Sequence, residues 1–575
     1  MDKIIRQQTI TSHVHAGSET AQVLAEKLEC HPVLAMLLAA RGICDPDQAR
    51  FFLNPDFTRL TDPFMLKDMD KAVARIHTAV VNHEKILVFG DFDSDGVTAT
   101  ALLVDFFEYC AADVSWYIPH RAREGYSLNN DHVKMAAQRD IDLIITVDCG
   151  IAANEPVRNA TDEDIDVIIT DHHEPGDELP QAAAVIDPKR HDCICGLDYL
   201  AGVGVAFYLV MALRKFFRKK NFWQDIEEPS LVNYLDLFAV GTIGDMVPLV
   251  HDNRVLCMAG VKKLRQGSRP GFAALARACR LDAEKIDSDD ISFKIVPRIN
   301  AAGRISHARI CVSQLTAKDI AGAENTAVIL DQLNLKRQAI EKDIMADIEQ
   351  RLGADRTLTS RKLLFLWDEN WNPSVLGIVA SKLARKYWIP VILLNVQGDT
   401  ATGSSRSIAS INIYQALLHH ACLLDQFGGH AMAAGLKLRT KHLHALNRAL
   451  NEYLENTYSS EDYEKSQKID AELKFSDINF SLAQQIDMLR PFGTANPEPV
   501  FTCKNVHVKS SFIIGSCHRK MILESHESDS GHMVEAFEFN IDTTHDLPDF
   551  YPEIIFRLKL NKFKSDSAQI IFEPA

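Results

Sequence analysis

The chain of 575 residues carries 62 Lys+Arg against 78 Asp+Glu, a net charge of −16, with 46% hydrophobic and 24% charged residues. This is an ordinary globular composition, which excludes a disordered chain, a collagen-like repeat and a coiled-coil rod, and the length predicts several domains with substantial cores. The acidic balance argues against indiscriminate coating of nucleic acid, which depends on neutralising phosphates, but leaves room for a local basic groove. One candidate is Phe293–Arg309, which holds Lys294, Arg298, Arg304 and Arg309 and no acid. The first residues lack the apolar core of a secretory signal, and the longest uncharged apolar stretch, Tyr199–Leu213, is too short for a bilayer. The 12 scattered cysteines read as reduced thiols, so a soluble cytoplasmic protein without membrane contact is expected.

Residues 1–50 are expected to form an N-terminal helical segment. From Lys85 a repeated pattern sets the fold class. Lys85–Phe89 ends at Gly90-Asp91, Leu143–Val147 ends at Asp148, and Val167–Thr170 ends at Asp171. Such Val- and Ile-rich runs suit strands buried on both faces, and helix-like stretches (Val97–Tyr109, His132–Arg139) separate them. The alternation predicts an α/β domain with a parallel sheet over residues 51–320, with ligands beyond the carboxyl ends of the strands, where each strand delivers an acid. Ile340, Ile344, Ile348 and Leu352 form one apolar stripe, predicting a connecting helix over 321–354. A smaller α/β domain is expected over 355–460, from Leu363–Trp367, the helix-like Val375–Lys386 and Pro390–Leu394. Residues 464–575 break into short alternating runs that suit an antiparallel β-barrel.

The densest chemical constellation is Gly90-Asp91-Phe92-Asp93-Ser94-Asp95-Gly96. Three carboxylates at alternate positions after a buried strand repel one another unless something compensates, and a divalent cation does so economically. The spacing is also that of an EF-hand loop, but the twelfth position from Asp91 is Leu102 rather than Glu, and no helix precedes it. A purely structural acidic N-cap leaves Asp148, Asp171-His172-His173 and Asp245 unexplained. Mixed carboxylate and imidazole ligands without thiolates suit Mn²⁺ best and Mg²⁺ also, and several bridging-capable acids suggest two ions. A two-metal site activates a water and stabilises the attacking and leaving oxygens of a phosphoryl displacement, so metal-assisted hydrolysis of a phosphoester or phosphoanhydride is the chemistry these residues give. Thr402–Ser407 offers hydroxyls and Arg406 for a phosphate. Phe427–Gly435 sets three glycines about His430, allowing close backbone approach to a ligand; a Gly-rich turn with a structural histidine is the competing reading. Arg121, Arg123, Arg298 and Arg304 could line a groove that tracks a nucleic-acid backbone.

The strand-end motifs, with Asp171-His172-His173 among them, resemble those of the DHH phosphoesterase superfamily, and Ser404–Ser407 with Gly428–Gly435 look like its DHHA1 companion domain. Tyr117–Tyr126, Leu200–Phe207, Pro297–Arg304 and Pro491–Pro499 are similar to the superfamily's single-stranded-DNA exonuclease branch, and the resemblance runs from about residue 50 onward. It implies a processive 5′→3′ exonuclease that hydrolyses single-stranded DNA to mononucleotides in recombination and repair. Carried over by motif, Asp91, Asp93, Asp148, His172 and Asp245 would bind two ions of Mn²⁺ or Mg²⁺, with Asp148 as the bridge. Asp95 would support the loop and His173 would lie against the scissile phosphate, completing a catalytic group with Asp148 and His172. Ser404 and Arg406 would hold the 5′-terminal phosphate, while Arg121, Arg298, Arg304 and His430 would contact DNA or line its cleft. The late β-domain would be the family's OB fold, gripping the strand through stacking and the charge of Arg557, Lys559, Lys562 and Lys564. Implied partners are single-stranded DNA, single-strand DNA-binding protein and a DNA helicase. The chain departs from the family pattern at Trp371-Asn372-Pro373-Ser374, where Trp-His-x-Gly is usual, and at Ala495, where glycine is usual. The rivals are a DHH phosphoesterase for short oligonucleotides and an inactive DNA-binding scaffold. Length and the intervening motifs oppose the first, and the intact acids and histidines oppose the second.

Overall fold

The computed structural model describes residues 9–11, 18–355, 357–515, 517–525, 532–541, 547–561, 564 and 567–573. It divides into two compact units: Ser12–Gly303 with His307–Asp331 and Lys468–Ala575, and Met1–Thr11 with Arg304–Ser306 and Gln332–Gln467.

The larger unit is built on strands β1 (Ile86–Gly90), β2 (Val114–Tyr117), β3 (Leu143–Val147), β4 (Asp166–Thr170) and β5 (Ala184–Ile186). They pair in the order β2-β1-β3-β4-β5, every pair parallel. All residues of β1 and β3 are buried, as their unbroken apolar runs require. The register sets Gly90 opposite Val147 and Val147 opposite Thr170, so the next residues, Asp91, Asp148 and Asp171, leave the sheet side by side. Helices α1 (Ser94–Tyr109) and α2 (Gly202–Lys219) pack against this sheet and one another, and α3 (Leu235–Asp245) packs on both helices. The basic stretch is also helical: one π-turn, Ile291–Ile295, leads into α4 (Val296–Ile305).

Both ends of the chain contribute to one further core of this unit. Three N-terminal helices bring Leu24, Leu34, Leu38 and Ala49 into the same cluster as Leu482, Phe501 and Phe556 of the C-terminal segment. Arg254 stitches the parts together. Its guanidinium is buried, stacks 3.7 Å over the Phe52 ring, and donates to the carbonyls of Phe52, Met488 and Leu489. A tight turn at Gly493–Asn496 hands the chain on to the barrel. Leu249 N–H donates to the Thr494 carbonyl, the Asn496 amide donates to the Leu489 and Pro491 carbonyls, and Ala495 holds a left-handed φ of 61°.

The smaller unit receives the C-terminal part of α5 (Ile320–Ala354), whose Ile344, Ile348 and Leu352 are buried in its core. Its sheet comprises β6 (Leu364–Asp368), β7 (Val391–Gln397), β8 (Thr400–Arg406), β9 (Gln426–His430) and β10 (Ala433–Arg439) in the order β9-β10-β8-β7-β6. The β6–β7 pair is parallel and the others antiparallel. Helix α6 (Leu376–Tyr387) crosses from β6 to β7.

The C-terminal barrel, part of the larger unit, has β11 (Phe501–Ile514), β12 (His518–Glu524), β13 (Met533–Phe539), β14 (Phe550–Leu560) and β15 (Ala568–Phe572). The long β11 pairs with both β12 and β14 and so closes the five strands. The pairing differs from the fully antiparallel expectation at one place, where β13 and β15 run parallel. Among the described residues no helix is long and apolar enough to cross a membrane.

Candidate metal centre

Each candidate ligand is delivered by an element end. Asp93 caps α1, its Oδ1 accepting from the N–H groups of Asp95 (2.9 Å) and Gly96 (3.2 Å). Asp91 lies beside that turn, close enough that a Cβ on Gly96 would sit 2.6 Å from its backbone nitrogen. Asp148 follows β3 in the left-handed region, φ 61°, which aspartate enters more readily than most residues. Asp245 is the last residue of α3.

These side chains converge. His172 Nε2 lies 3.1 Å from Asp148 Oδ1 and 3.7 Å from Asp95 Oδ2 and Asp245 Oδ2. Three groups have candidate ligand atoms within 4.8 Å of one another: Asp91, Asp93 and Asp148; Asp148, His172 and His173; and Asp95, His172 and Asp245. Asp148 and His172 each belong to two of them. Asp91 Oδ1, Asp148 Oδ1 and both ring nitrogens of His172 are buried without a hydrogen-bond partner. Buried polar atoms are ordinarily satisfied, so this convergence of orphaned carboxylate oxygens and imidazole nitrogens is the signature of a cation site, and the oxygen and nitrogen donor set fits Mn²⁺ or Mg²⁺.

The electrostatics agree. Burial first, and then neighbouring carboxylates, hold Asp91 and Asp148 well above the usual carboxylate range and push Asp95 up to about 7 and Asp245 up to about 8. His172 is driven down to about 3 by burial and then by the charge of His173, so it is a neutral donor. For His173 burial acts against the charged form, but the hydrogen bond to Asp171 (2.7 Å) and the surrounding carboxylates outweigh it and raise the imidazole to about 9.

Two acids in the motifs do other work. Asp95 is a distant cap for α2: its Oδ2 accepts from Gly202 N–H at 2.6 Å and its Oδ1 from Val203 N–H at 2.8 Å. Asp171 accepts from the N–H groups of Ile151, His172 and His173 and from the His173 ring, which orients the histidine pair. Three residues that sequence reasoning passed over serve the same centre. The Tyr126 hydroxyl donates to the Asp148 carbonyl (3.1 Å) and lies 3.2 Å from His173 Nδ1. Asn300 accepts from Ser94 N–H at 2.7 Å, bracing the loop of Asp91 and Asp93. Gly202 abuts Asp148 so closely that a Cβ there would lie 2.5 Å from the Asp148 Cβ. All three lie inside stretches that carried the family resemblance, which was the available signal.

The arginines divide. Arg121 is exposed and stacks 4.8 Å over the Phe92 ring, where its charge offsets part of the shift on Asp91. Arg298 is committed to Asp331 (2.7 Å) and the Lys294 carbonyl (2.7 Å), and Arg304 donates to the Ser374 carbonyl. In the smaller unit the tips of Ser404 and Arg406 meet over Gly377, at the start of α6, and a Cβ on that glycine would lie 3.3 Å from Ser404 Oγ and 2.9 Å from Arg406 Nη2. His430 is exposed at the end of β9. Asn372 accepts from Ser374 N–H and caps the short turn before α6. On the barrel the expected cationic patch is neutralised: Arg557 pairs with Glu498 and Glu573, Lys559 with Asp289 and Glu498, and Lys564 with Glu535, while Lys562 lies outside the described residues.

Family models match three segments: residues 85–242 the DHH family N-terminal domain, 360–456 the DHHA1 domain and 469–573 the RecJ OB domain. The chain is 37% identical over 512 residues to the single-stranded-DNA-specific exonuclease RecJ of Bacillus subtilis, covering 88% of this chain and 63% of that one. It is 34% identical over 574 residues to the protein of the same description from Salmonella typhimurium, covering 97% of each. The crystal structure of RecJ from Thermus thermophilus in complex with Mn²⁺ superposes with a TM-score of 0.81 at 26% identity, covering all of this chain and 80% of the other. With all three domain models in this order and a relative aligned over nearly its whole length, the chain belongs to the RecJ family.

Proposed function

We propose that the chain is a metal-dependent exonuclease that hydrolyses single-stranded DNA from its 5′ end to mononucleotides, in recombination and repair in the cytoplasm. The observation that carries the reading is the convergence at the sheet edge of the buried, unpartnered donors of Asp91, Asp148 and His172; with Asp93 and Asp245 beside them, these five would hold two ions of Mn²⁺ or Mg²⁺, with Asp148 shared. Such ions, when bound, supply an activated water and stabilise charge on the phosphoryl oxygens. The protein's own groups do the rest. Asp95 and Gly202 fix the wall behind Asp148. His173, held by Asp171 and Tyr126, keeps its proton at neutral pH and offers a positive charge to the scissile phosphate. Ser404 and Arg406, grouped at a helix N-terminus, suit a terminal phosphate, which would set polarity. Arg121, Arg298, Arg304 and His430 would contact the strand or line its path. Since Arg557, Lys559 and Lys564 of the barrel are paired, its contribution would be stacking, and Phe512, Phe539 and Phe550 are exposed there for bases to stack on. Single-strand DNA-binding protein and a DNA helicase are the partners this reading implies.

The test is degradation of a single-stranded oligonucleotide labelled separately at each end, with Mn²⁺, by the wild type and Asp148→Ala. Immediate release of the 5′ label as mononucleotide, persistence of the 3′ label in shortening chains and an inactive variant are expected. Absence of cleavage by the wild type in Mn²⁺ and Mg²⁺ would refute the reading, and cleavage confined to dinucleotides would replace the substrate.

A further inference from the structure

The loop from Asp187 to Gly202 joins β5 to α2 and so ends at the backbone N–H that holds Asp95 and at the glycine pressed against Asp148. It is anchored on both sides. Upstream, Asp187 is buried and accepts from Lys189 N–H, while the buried Arg190 pairs with Asp68 (2.7 Å) and Asp192 (2.9 Å). Downstream, Leu197 and Leu200 are fully buried. Between the anchors the chain crests at Ile194, 87% exposed, and on either side of the crest stand Cys193 and Cys195 with their sulfurs 3.4 Å apart. Among the described residues this is the one pair of cysteine sulfurs in hydrogen-bond contact. Gly196 follows at φ +69°, with nothing within 4 Å of where a Cβ would stand. Cys195 also faces α2, near enough that its charge would weigh on the Tyr208 hydroxyl of that helix.

We propose that Cys193 and Cys195 form a reversible dithiol–disulfide site, closed by hydroperoxides, whose closure displaces the Leu200–Gly202 end of the loop from the metal centre. A disulfide needs the sulfurs at about 2.05 Å, so closure draws them together by roughly 1.4 Å. The upstream side is held by the two directional ion pairs of Arg190 and the downstream side by the non-directional apolar packing of Leu197 and Leu200, which yields more readily, so the movement is taken up toward Gly202. The chemistry balances. Cys193 sulfur takes one oxygen from the hydroperoxide as its O–O bond breaks, giving a sulfenic acid and, from hydrogen peroxide, water. Cys195 sulfur then attacks, the S–S bond forms, the S–O bond breaks, and a second water leaves with the Cys195 proton. In total two thiols and one hydrogen peroxide become one disulfide and two waters. Burial holds the Cys195 thiol up at about 12, so its proton leaves only with the water of the second step. The small ring of a Cys-x-Cys disulfide is strained and readily reduced, which places it with labile rather than structural disulfides.

The activity arm rests on the exonuclease reading, so the experiment has a readout independent of it. A Cys44→Ser/Cys422→Ser background removes the exposed thiols. This protein is treated with equimolar hydrogen peroxide, digested and weighed, and amide hydrogen exchange is followed with and without oxidation. The expected result is a peptide containing residues 193 and 195 lighter by two hydrogens, restored by dithiothreitol, with faster exchange at Gly202 and Val203, severalfold slower nuclease turnover, and none of these changes in the Cys195→Ser variant. Free thiols at both positions after oxidation would overturn the site. A disulfide that leaves exchange at Gly202 and Val203 unchanged would overturn its coupling to the centre. An inactive reduced protein would count against the exonuclease reading alone, since mass and exchange would still decide the disulfide.

Discussion

Replacing Gly202 with alanine separates the stability of α2 from its fit against Asp148. The added Cβ would lie 2.5 Å from the Asp148 Cβ, 2.8 Å from its Oδ1 and 2.9 Å from its Cα. Carbon atoms rest at about 3.5–4.0 Å, so Asp148 or the helix end must move by roughly 1 Å. Overpacking of this kind costs about 1–3 kcal/mol, while alanine in place of glycine at this first position of the helix returns at most about 1 kcal/mol, leaving a net destabilisation of about 0–3 kcal/mol. The chemical cost is larger: a displacement of about 1 Å at a reacting site lowers rate about 100-fold. The assay is kcat on the labelled oligonucleotide in Mn²⁺ beside a thermal melt. Gly204→Ala is the control, since the nearest atoms to its Cβ would be those of the Leu200 side chain, Cδ2 at 3.1 Å and Cβ at 3.2 Å, rather than Asp148. A Gly202→Ala protein that melts near the wild type and turns over normally would refute the claim that this glycine positions Asp148.

Ala495→Gly relieves a left-handed alanine, φ 61°, and is expected to stabilise the chain by about 1 kcal/mol in denaturant titration. Arg406→Ala should raise KM about 10–100-fold for 5′-phosphorylated DNA, the worth of one charge-assisted hydrogen bond, and leave 5′-hydroxyl DNA unchanged in a side-by-side kinetic comparison. Burial works to raise the Asp68 carboxyl, but Lys71 and Arg190 outweigh it and hold it below its ordinary value. Its stabilising contribution is therefore present above about pH 4 and lost as pH falls through the depressed native value, so Asp68→Asn should cost about 1–3 kcal/mol at neutral pH, with the gap to wild type closing in acid melts.

The parallel sheet was legible because strands buried on both faces are written as unbroken Val and Ile runs, and the acids at the ligand edge follow those runs directly. Once the register is known, Asp91, Asp148 and the Asp171–His173 segment must be neighbours. What escaped were the relations carried by partners far along the chain. Asp95 stands in the metal-like spacing of its loop, yet both of its oxygens are taken by backbone groups 107 and 108 residues away. Counting charge along the barrel finds Arg557 and Lys559 but not Glu498 and Asp289, which neutralise them. The N-terminal helices, among them the wholly apolar Pro32–Ala40, call for cover that the sequence does not name, and that cover is the C-terminal segment.

Arg254 bears on how this molecule can be dissected. Its positive charge is met by carbonyl dipoles from residue 52 on one side and residues 488 and 489 on the other. A shortened chain ending before residue 488, or one lacking the first helices, would strip Arg254 of the acceptors on that side and uncover the apolar core those segments share. The N-terminal helices, the parallel-sheet domain and the C-terminal segment are therefore poor cassettes for domain shuffling, because each cut lays open apolar core that the other parts cover.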